Sequence, residues 1–284
     1  MCILFLYINP SSSGQGYDII LASNRDEFFN RPTKLADFWD DAPDCIGGID
    51  LMPGRGSGTW LGLSKAGKIG ILLNILQKDL DPQAKGRGYI VRDFIKGNVS
   101  SQEHLAMVQK DTKMVAYNQF NIILLEKRDN GKCCKVMLYD NVRGCDPEEI
   151  GPGFLAAGNS TIDQPWKKVE AGKKKFQSIV SENNSLSCKD QLMKELMALL
   201  NDETRNFPDP ILEKQGAHYS TEVLEQRSAI YVKIPSMDYG TRTNTIILID
   251  GQGNCTYLER TLKEPVNLEQ PDYEERKYEF HLNK

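Results

Sequence analysis

The chain opens on an apolar run, Cys2 to Ile8, that reads as a buried strand. A second run, residues 17 to 24, follows a Ser/Gly-rich segment from Asn9 to Gly16, and the two predict a hairpin. The second strand passes straight into Asn24-Arg25-Asp26-Glu27-Phe28-Phe29. Polar and charged residues at the end of an apolar strand are costly if buried, so this cluster marks a position with a job. An aromatic, Pro-punctuated loop is expected through Trp39 to Asp50, and then a second hairpin, 58 to 63 with 69 to 74, turned at Lys65-Ala66-Gly67-Lys68. Asn74 puts an amide near the end of that apolar run.

Helical patterning follows at 86 to 96, where Ile90, Val91, Phe94 and Ile95 make one face, and at 101 to 110, 166 to 180 and 189 to 200. Strands are predicted at 120 to 126, 135 to 140, 154 to 157, 229 to 234, 243 to 250 and 255 to 260, with a last one at 277 to 282. Hairpins at both ends, helical pairs in the middle and no βαβ rhythm argue against a doubly wound parallel sheet. The order predicts an α+β fold, a four-layer αββα sandwich of two mainly antiparallel sheets. No linker or internal repeat divides the chain, so residues 1–284 are expected to form a single domain.

Composition narrows the function more than the fold. A net charge of -4 and a pI near 5.6 give no electrostatic reason to expect nucleic acid. The dense basic run, Lys167-Lys168 with Lys173-Lys174-Lys175, has helical spacing and reads as a solvated helix face. The seven cysteines, at 2, 45, 133, 134, 145, 188 and 255, form no CxxC pair and no zinc or haem-attachment spacing. An odd, sparse set implies a reducing compartment. With no signal-peptide signature and no apolar stretch of membrane-spanning length, a cytoplasmic protein without a transmembrane segment is expected.

Cys2 is a small second residue of the kind from which Met1 is normally trimmed. Trimming leaves a thiol and an α-amine on one carbon, with reference pKa values of about 8.5 and about 8, so the amine can take the thiol proton. That is the logic of an N-terminal nucleophile; a buried small hydrophobe at the head of a strand is the open alternative. Strand alternation puts Asn24 and Asp26 on one face, beside the strand of Cys2, where Asp26 can hold the amine. Asn74 and Asn159 are amides suited to an oxyanion. Arg242 sits at a strand start and suits lowering a thiol pKa or clamping a carboxylate or phosphate.

Several segments together resemble the NRDE family: Met1-Cys2-Ile3, Ala22-Ser23-Asn24-Arg25-Asp26-Glu27-Phe28, Asn30-Arg31-Pro32, Gly58-Thr59-Trp60-Leu61-Gly62, Ala157-Gly158-Asn159-Ser160 with Pro165-Trp166, and Tyr239-Gly240-Thr241-Arg242-Thr243-Asn244-Thr245. They span nearly the whole chain. The resemblance implies a fold similar to the N-terminal nucleophile hydrolases, whose cysteine members include choloylglycine hydrolases and acid ceramidase. It implies catalytic roles for Cys2, Asp26, Asn74, Asn159 and Arg242, and a ligand-binding set of Asn24, Arg25, Asp26, Glu27, Arg31 and Trp60. One departure stands out. Choloylglycine enzymes carry an Arg three residues before the Asp, where this chain has Ser23, and strand alternation points Arg25 away from Asp26.

The same resemblance implies intracellular haem trafficking as the leading function, with no required cofactor and haem as a transported ligand. Axial-ligand candidates are Cys2, His104, His218, His281, Cys45 and Tyr219, none in a diagnostic motif. Handling of acyl-CoA or lipid, with Golgi and secretory organisation, is the second function implied, and amide hydrolysis by Cys2 the third. The partner in each case is a small hydrophobic ligand, and peripheral association with mitochondria or the Golgi and ER is part of the expectation.

Overall fold

The structure is a computed structural model and describes residues 2–10, 16–54, 57–127 and 134–283. In chain order the strands and helices are β1 (Cys2–Ile8), β2 (Tyr17–Phe28), β3 (Thr33–Trp39), β4 (Ala42–Asp50), β5 (Leu61–Ser64), β6 (Ile69–Asn74), α1 (Gly88–Lys96), α2 (Ser101–Met114), β7 (Phe120–Lys127), β8 (Cys134–Asp140), β9 (Glu148–Ile150), β10 (Gly153–Ala157), α3 (Lys167–Asn183), α4 (Lys189–Leu200), α5 (Pro210–Gln215), α6 (Thr221–Arg227), β11 (Lys233–Ile234), β12 (Tyr239–Asp250), β13 (Asn254–Leu262) and β14 (Tyr273–His281). The fold is α+β with two antiparallel sheets, as the order of hairpins and helices predicts. The chain forms two compact units, each drawn from separated segments: Met1–Asn30, Leu76–Lys78 and Pro152–Phe280 make the first, and Arg31–Ile75, Asp79–Gly151 and His281–Lys284 the second.

In the first unit the sheet runs β10-β1-β2-β12-β13-β14, with β11 paired to β12. Ile3, Phe5, Ile20 and Ala22 of one sheet face share a core with Val169 and Phe176 of α3 and Leu192 and Leu196 of α4. In the second unit the order is β3-β4-β5-β6-β7-β8-β9, and Val91, Phe94 and Leu105 of α1 and α2 pack on Ile122, Leu124 and Met137. Ser100 and Glu103 close a capping box at the start of α2, which fixes where that helix begins. Among the described residues, no helix is long and apolar enough to cross a membrane.

Three segments depart from the sequence pattern. The stretch from Trp39 to Asp50, expected as a loop, is a β3–β4 hairpin in which the Trp39 indole donates to the Gly47 carbonyl at 2.9 Å. β2 does not end at residue 24. It continues through Asn24, Arg25, Asp26 and Glu27 because β1 pairs with it up to Arg25 and β12 beyond, with Asp26 opposite Thr241. The apolar run 229 to 234 is a strand only at Lys233–Ile234, since side chains take its carbonyls: Lys168 bonds Ala229 O at 2.9 Å and Asn24 bonds Ile230 O at 3.1 Å.

Candidate active site

β1 begins at Cys2, opposite Arg25 of β2, so the second residue lies beside the polar end of the longer strand. Cys2 and Asp26 are both buried. The backbone nitrogen of Cys2 donates to Asn159 Oδ1 at 3.1 Å, and Asn159 is fully buried in the turn after β10. The Leu76 amide holds the Asn159 backbone carbonyl at 2.8 Å. Burial pushes the Cys2 thiol above its ordinary range and the Asp26 carboxylate adds to this, while the N-terminal amine and a hydrogen bond from the Asp26 amide oppose it. As it stands the sulfur is therefore a protonated thiol, and a nucleophile here needs a base.

Asp26 accepts from the Thr241 hydroxyl at 2.7 Å, and its backbone carbonyl accepts from the Tyr239 hydroxyl at 3.0 Å. Burial raises its pKa, and the N-terminal amine, then Lys168, the Thr241 bond and Arg227 pull the other way. Both cations are themselves buried. Lys168 is at zero exposure, and burial lowers its pKa to about 8. Arg227 lies between two aromatic faces, 4.4 Å from the Tyr219 ring centre and 5.2 Å from that of Tyr239. Sequence reasoning missed both. Reading the 167–175 lysines as a solvated face is wrong for Lys168, which shares the inward stripe of α3 with Gly172, Phe176 and Val180. That four-residue spacing is the signal that identifies it. Arg227 closes α6 in a segment with no such pattern.

The remaining predicted residues divide by what they touch. Asn24 is a structural pin: its amide donates to Leu200 O at 2.8 Å and Ile230 O at 3.1 Å, and its Oδ1 accepts from Asn244 at 2.7 Å. Both ends of its carboxamide are thus bonded inside the protein. Arg25 pairs with Glu27 at 4.0 Å, two residues along on its own face of β2, away from Asp26. Arg242 is the extra residue of a β-bulge between Thr241 and Thr243. Its guanidinium donates to Phe28 O at 3.2 Å and to Glu264 at 2.5 Å. Electrostatic pull on Asp26 thus comes from the N-terminal amine, Lys168 and Arg227; the sequence pattern places Lys168 on a solvated face and does not single out Arg227.

In the second unit, Arg31 makes a two-bond pair with Asp50 at 3.0 and 2.7 Å, fixing the β3–β4 hairpin at its open end. The Trp60 ring covers Gly48, where a Cβ would strike it. Asn74 is the last residue of β6. Of the haem-ligand candidates, His104 is a core residue whose Nε2 donates to Ile90 O at 2.8 Å. Cys45 is buried, and burial raises its thiol to about 11. The His218 ring lies tilted against that of Tyr219 with ring centres 4.1 Å apart, and His281 Nδ1 donates to Leu282 O at 2.5 Å.

Two antiparallel sheets with helices, and a cysteine buried at the second position beside a carboxylate and a carboxamide, define an α+β protein organised around the head of its first strand. The chain belongs to the Transport and Golgi organisation 2 family, whose family model matches residues 1–264. It is 39% identical over 283 residues to the mouse Transport and Golgi organization 2 homolog, covering 99% of each chain. The Drosophila melanogaster Transport and Golgi organization protein 2 is 32% identical over 268 residues, 92% of each. Among solved structures, a Caenorhabditis elegans N-acylethanolamine-hydrolyzing acid amidase ortholog aligns with TM-score 0.46 at 12% identity, over 87% of this chain and 92% of that one. A variant of the conjugated bile acid hydrolase from Clostridium perfringens gives 0.45 at 10%, over 99% and 98%. Likeness at that level assigns no role to any residue.

Proposed function

We propose that Cys2 is an acyl-accepting nucleophile that acts once Met1 has been removed, cleaving an acylated amine, and that this chemistry serves the secretory organisation after which the relatives are named. One observation carries the reading: the nitrogen of residue 2, which becomes the α-amine on trimming, already sits 3.1 Å from the buried Asn159 Oδ1. Held there, the amine takes the Sγ proton and Sγ bonds to the acyl carbonyl carbon. Asn159 also carries a donor, Nδ2, suited to the oxyanion. Collapse breaks the C–N bond, the departing amine takes the proton back, and water then hydrolyses the thioester to release the acid and restore the thiol.

An acyl thioester such as acyl-CoA presents the same carbonyl, so acyl-group handling is the nearest variant of this reading. Haem transport draws no support from the histidines, because the Nε2 of His104 is taken up in the core and His218 and His281 make local contacts. Its test is direct: a Soret shift on adding haem, and transfer to an apo-haem protein.

Two measurements test the nucleophile. Intact mass of the chain purified from its own cells should show Met1 absent, and a reagent that condenses with 1,2-aminothiols should label residue 2. Against a panel of N-acyl amines, Cys2→Ala should lose at least about a hundredfold in turnover. Complete retention of Met1, or unchanged turnover in Cys2→Ala, would falsify the reading.

A further inference from the structure

Arg227, the last residue of α6, is 3% exposed, yet among the described residues no oxygen accepts from it. Its one hydrogen bond runs from Nη2 to the Met237 sulfur at 3.8 Å, and its Nε is shut off from water with no partner. A guanidinium carries five donors and keeps its charge, and a thioether is a weak acceptor. Buried polar groups are nearly always bonded, so an unpartnered one calls for an explanation. Other arginines show what this one lacks. Arg31 takes both carboxylate oxygens of Asp50, and Arg242, equally buried, takes Glu264 and the Phe28 carbonyl. Asp26 acts on Arg227 only through space, without an ion pair.

The local chain explains how the cation comes to lie there. Ser220 caps α6 and sets its start, Leu224 packs into the core of the first unit, and Arg227 follows three residues later on the same inward face. The Tyr219 and Tyr239 rings cover the guanidinium, and the Tyr239 ring is itself fixed by its hydroxyl bond to Asp26 O. Stacking uses the flat faces of the cation and leaves its N–H groups, which lie in the plane, without acceptors. The edge that carries Nε and Nη2 is the fork that matches the two oxygens of a carboxylate or phosphate. Here it meets Met237, a flexible, half-buried side chain at the end of the single turn Pro235–Met237. Tyr239 also joins this cation to an apolar surface: Phe28, 45% exposed, packs edge-on against it with ring centres 5.2 Å apart.

We propose that Arg227 is the head-group residue of a binding site for an anionic amphiphile: its Nε–Nη2 fork takes two oxygens of a carboxylate or phosphate in place of the Met237 sulfur, and Phe28 and Tyr239 receive the attached apolar chain. An oxyanion gives the fork charge-assisted bonds about twice as strong as neutral ones. Without a ligand the buried charge is a cost to the fold, which an apolar side chain would not carry. The site makes no use of the Cys2 thiol and stands whether or not Met1 is removed.

The full chain is titrated calorimetrically with octanoate, octyl phosphate and 1-octanol, each below its micelle-forming concentration. At least one anion should bind about tenfold or more tighter than octanol, and the tighter of the two names the head group. Arg227→Met should bind all three alike, at the wild-type affinity for octanol. Arg227→Lys keeps the charge but not the fork, and should lose about threefold or more of the anion preference. In urea without ligand, Arg227→Met should unfold at a midpoint equal to or above that of the wild type. The proposal is overturned if octanol binds as tightly as both anions, if neither anion binds, or if either variant keeps the full preference. A lower urea midpoint or failure to fold in Arg227→Met overturns it as well, because the guanidinium would then be held for its stacking alone.

Discussion

Each unit buries an aspartate, and the two are held in opposite ways. Asp140, at the end of β8 in the second unit, is bonded by its own neighbours: the Val142 amide at 3.0 Å, the Arg143 amide at 2.8 Å and Arg143 Nε at 2.5 Å. Asp26 in the first unit accepts from Thr241 at 2.7 Å, and the side-chain cations whose charge acts on it, Lys168 and Arg227, are likewise far along the chain. The first arrangement is a turn that a short peptide could specify. The second exists only when β2, β12, α3 and α6 are assembled, so it makes the end of β2 depend on the whole unit. Isolated buried ions cost several kcal/mol each, so a fold that keeps three of them depends on how they compensate one another.

The sharpest way to break this contrast is Asp26→Ala. Removing the carboxylate leaves Lys168 and Arg227 buried without their counter-ion, and the cost should be about 3–5 kcal/mol in urea unfolding, read as a lower midpoint at constant slope. Asp26→Asn, which keeps the shape and a Thr241 partner, should recover the packing and little of the electrostatics. If Asp26→Ala costs less than about 1 kcal/mol, the cations are compensated elsewhere and the cluster is not an electrostatic unit.

This difference also decides what was legible in the sequence. The apolar runs of β1, β7, β8 and the ends of α1 and α4 are local signals, and their observed bounds lie within a few residues of the predicted ones. Cys2, Asp26 and Asn159 were legible because their types and motifs carry chemistry on their face. Lys168 was not, because a lysine among lysines reads as solvent-facing, and only its phase with Gly172, Phe176 and Val180 separates it from Lys167, Lys173, Lys174 and Lys175. The run 229 to 234 misled for the same reason. Its composition is that of a strand, but its carbonyls are taken by Asn24 and Lys168, side chains from elements far away in sequence. The short helices α5 and α6 are set by caps, Asp209 and Ser220, and contain too few residues to show a period.

The contrast has a pH signature of intermediate size. Lys168 titrates at about 8 in the folded chain because burial disfavours its charge, against about 10.4 when unfolded. Between those values the unfolded chain binds more protons than the native one, so stability rises with pH across that window. Below about 8 both states hold the proton and the cost of burying the ammonium is present in full. Wild type should therefore gain up to about 1.4 kcal/mol per pH unit, relative to Lys168→Met, from about pH 8 to about 10. The difference between the two proteins isolates this group from the tyrosines that titrate in the same range. Parallel stability curves would mean that Lys168 reaches solvent and that the buried cluster does not hold in solution.

The smallest effect belongs to the local aspartate. In Asp140→Ala two backbone amides lose their acceptor, but both lie in a surface turn where water can replace it, and Arg143 keeps its 2.7 Å bond to Glu148. The expected cost is about 1–2 kcal/mol, with no change in Cys2 labelling or in the alkaline slope. Asp140→Asn should recover roughly half, since a carboxamide oxygen can still accept from Val142 and Arg143 but gives no charge to the guanidinium. Asp26→Asn should not show a comparable recovery, because what Asp26 supplies to Lys168 and Arg227 is charge and only secondarily a hydrogen-bond acceptor. If the two asparagine variants recover to the same extent, the distance along the chain of a carboxylate's partners carries no information about its role, and Asp26 is held as a turn residue like Asp140.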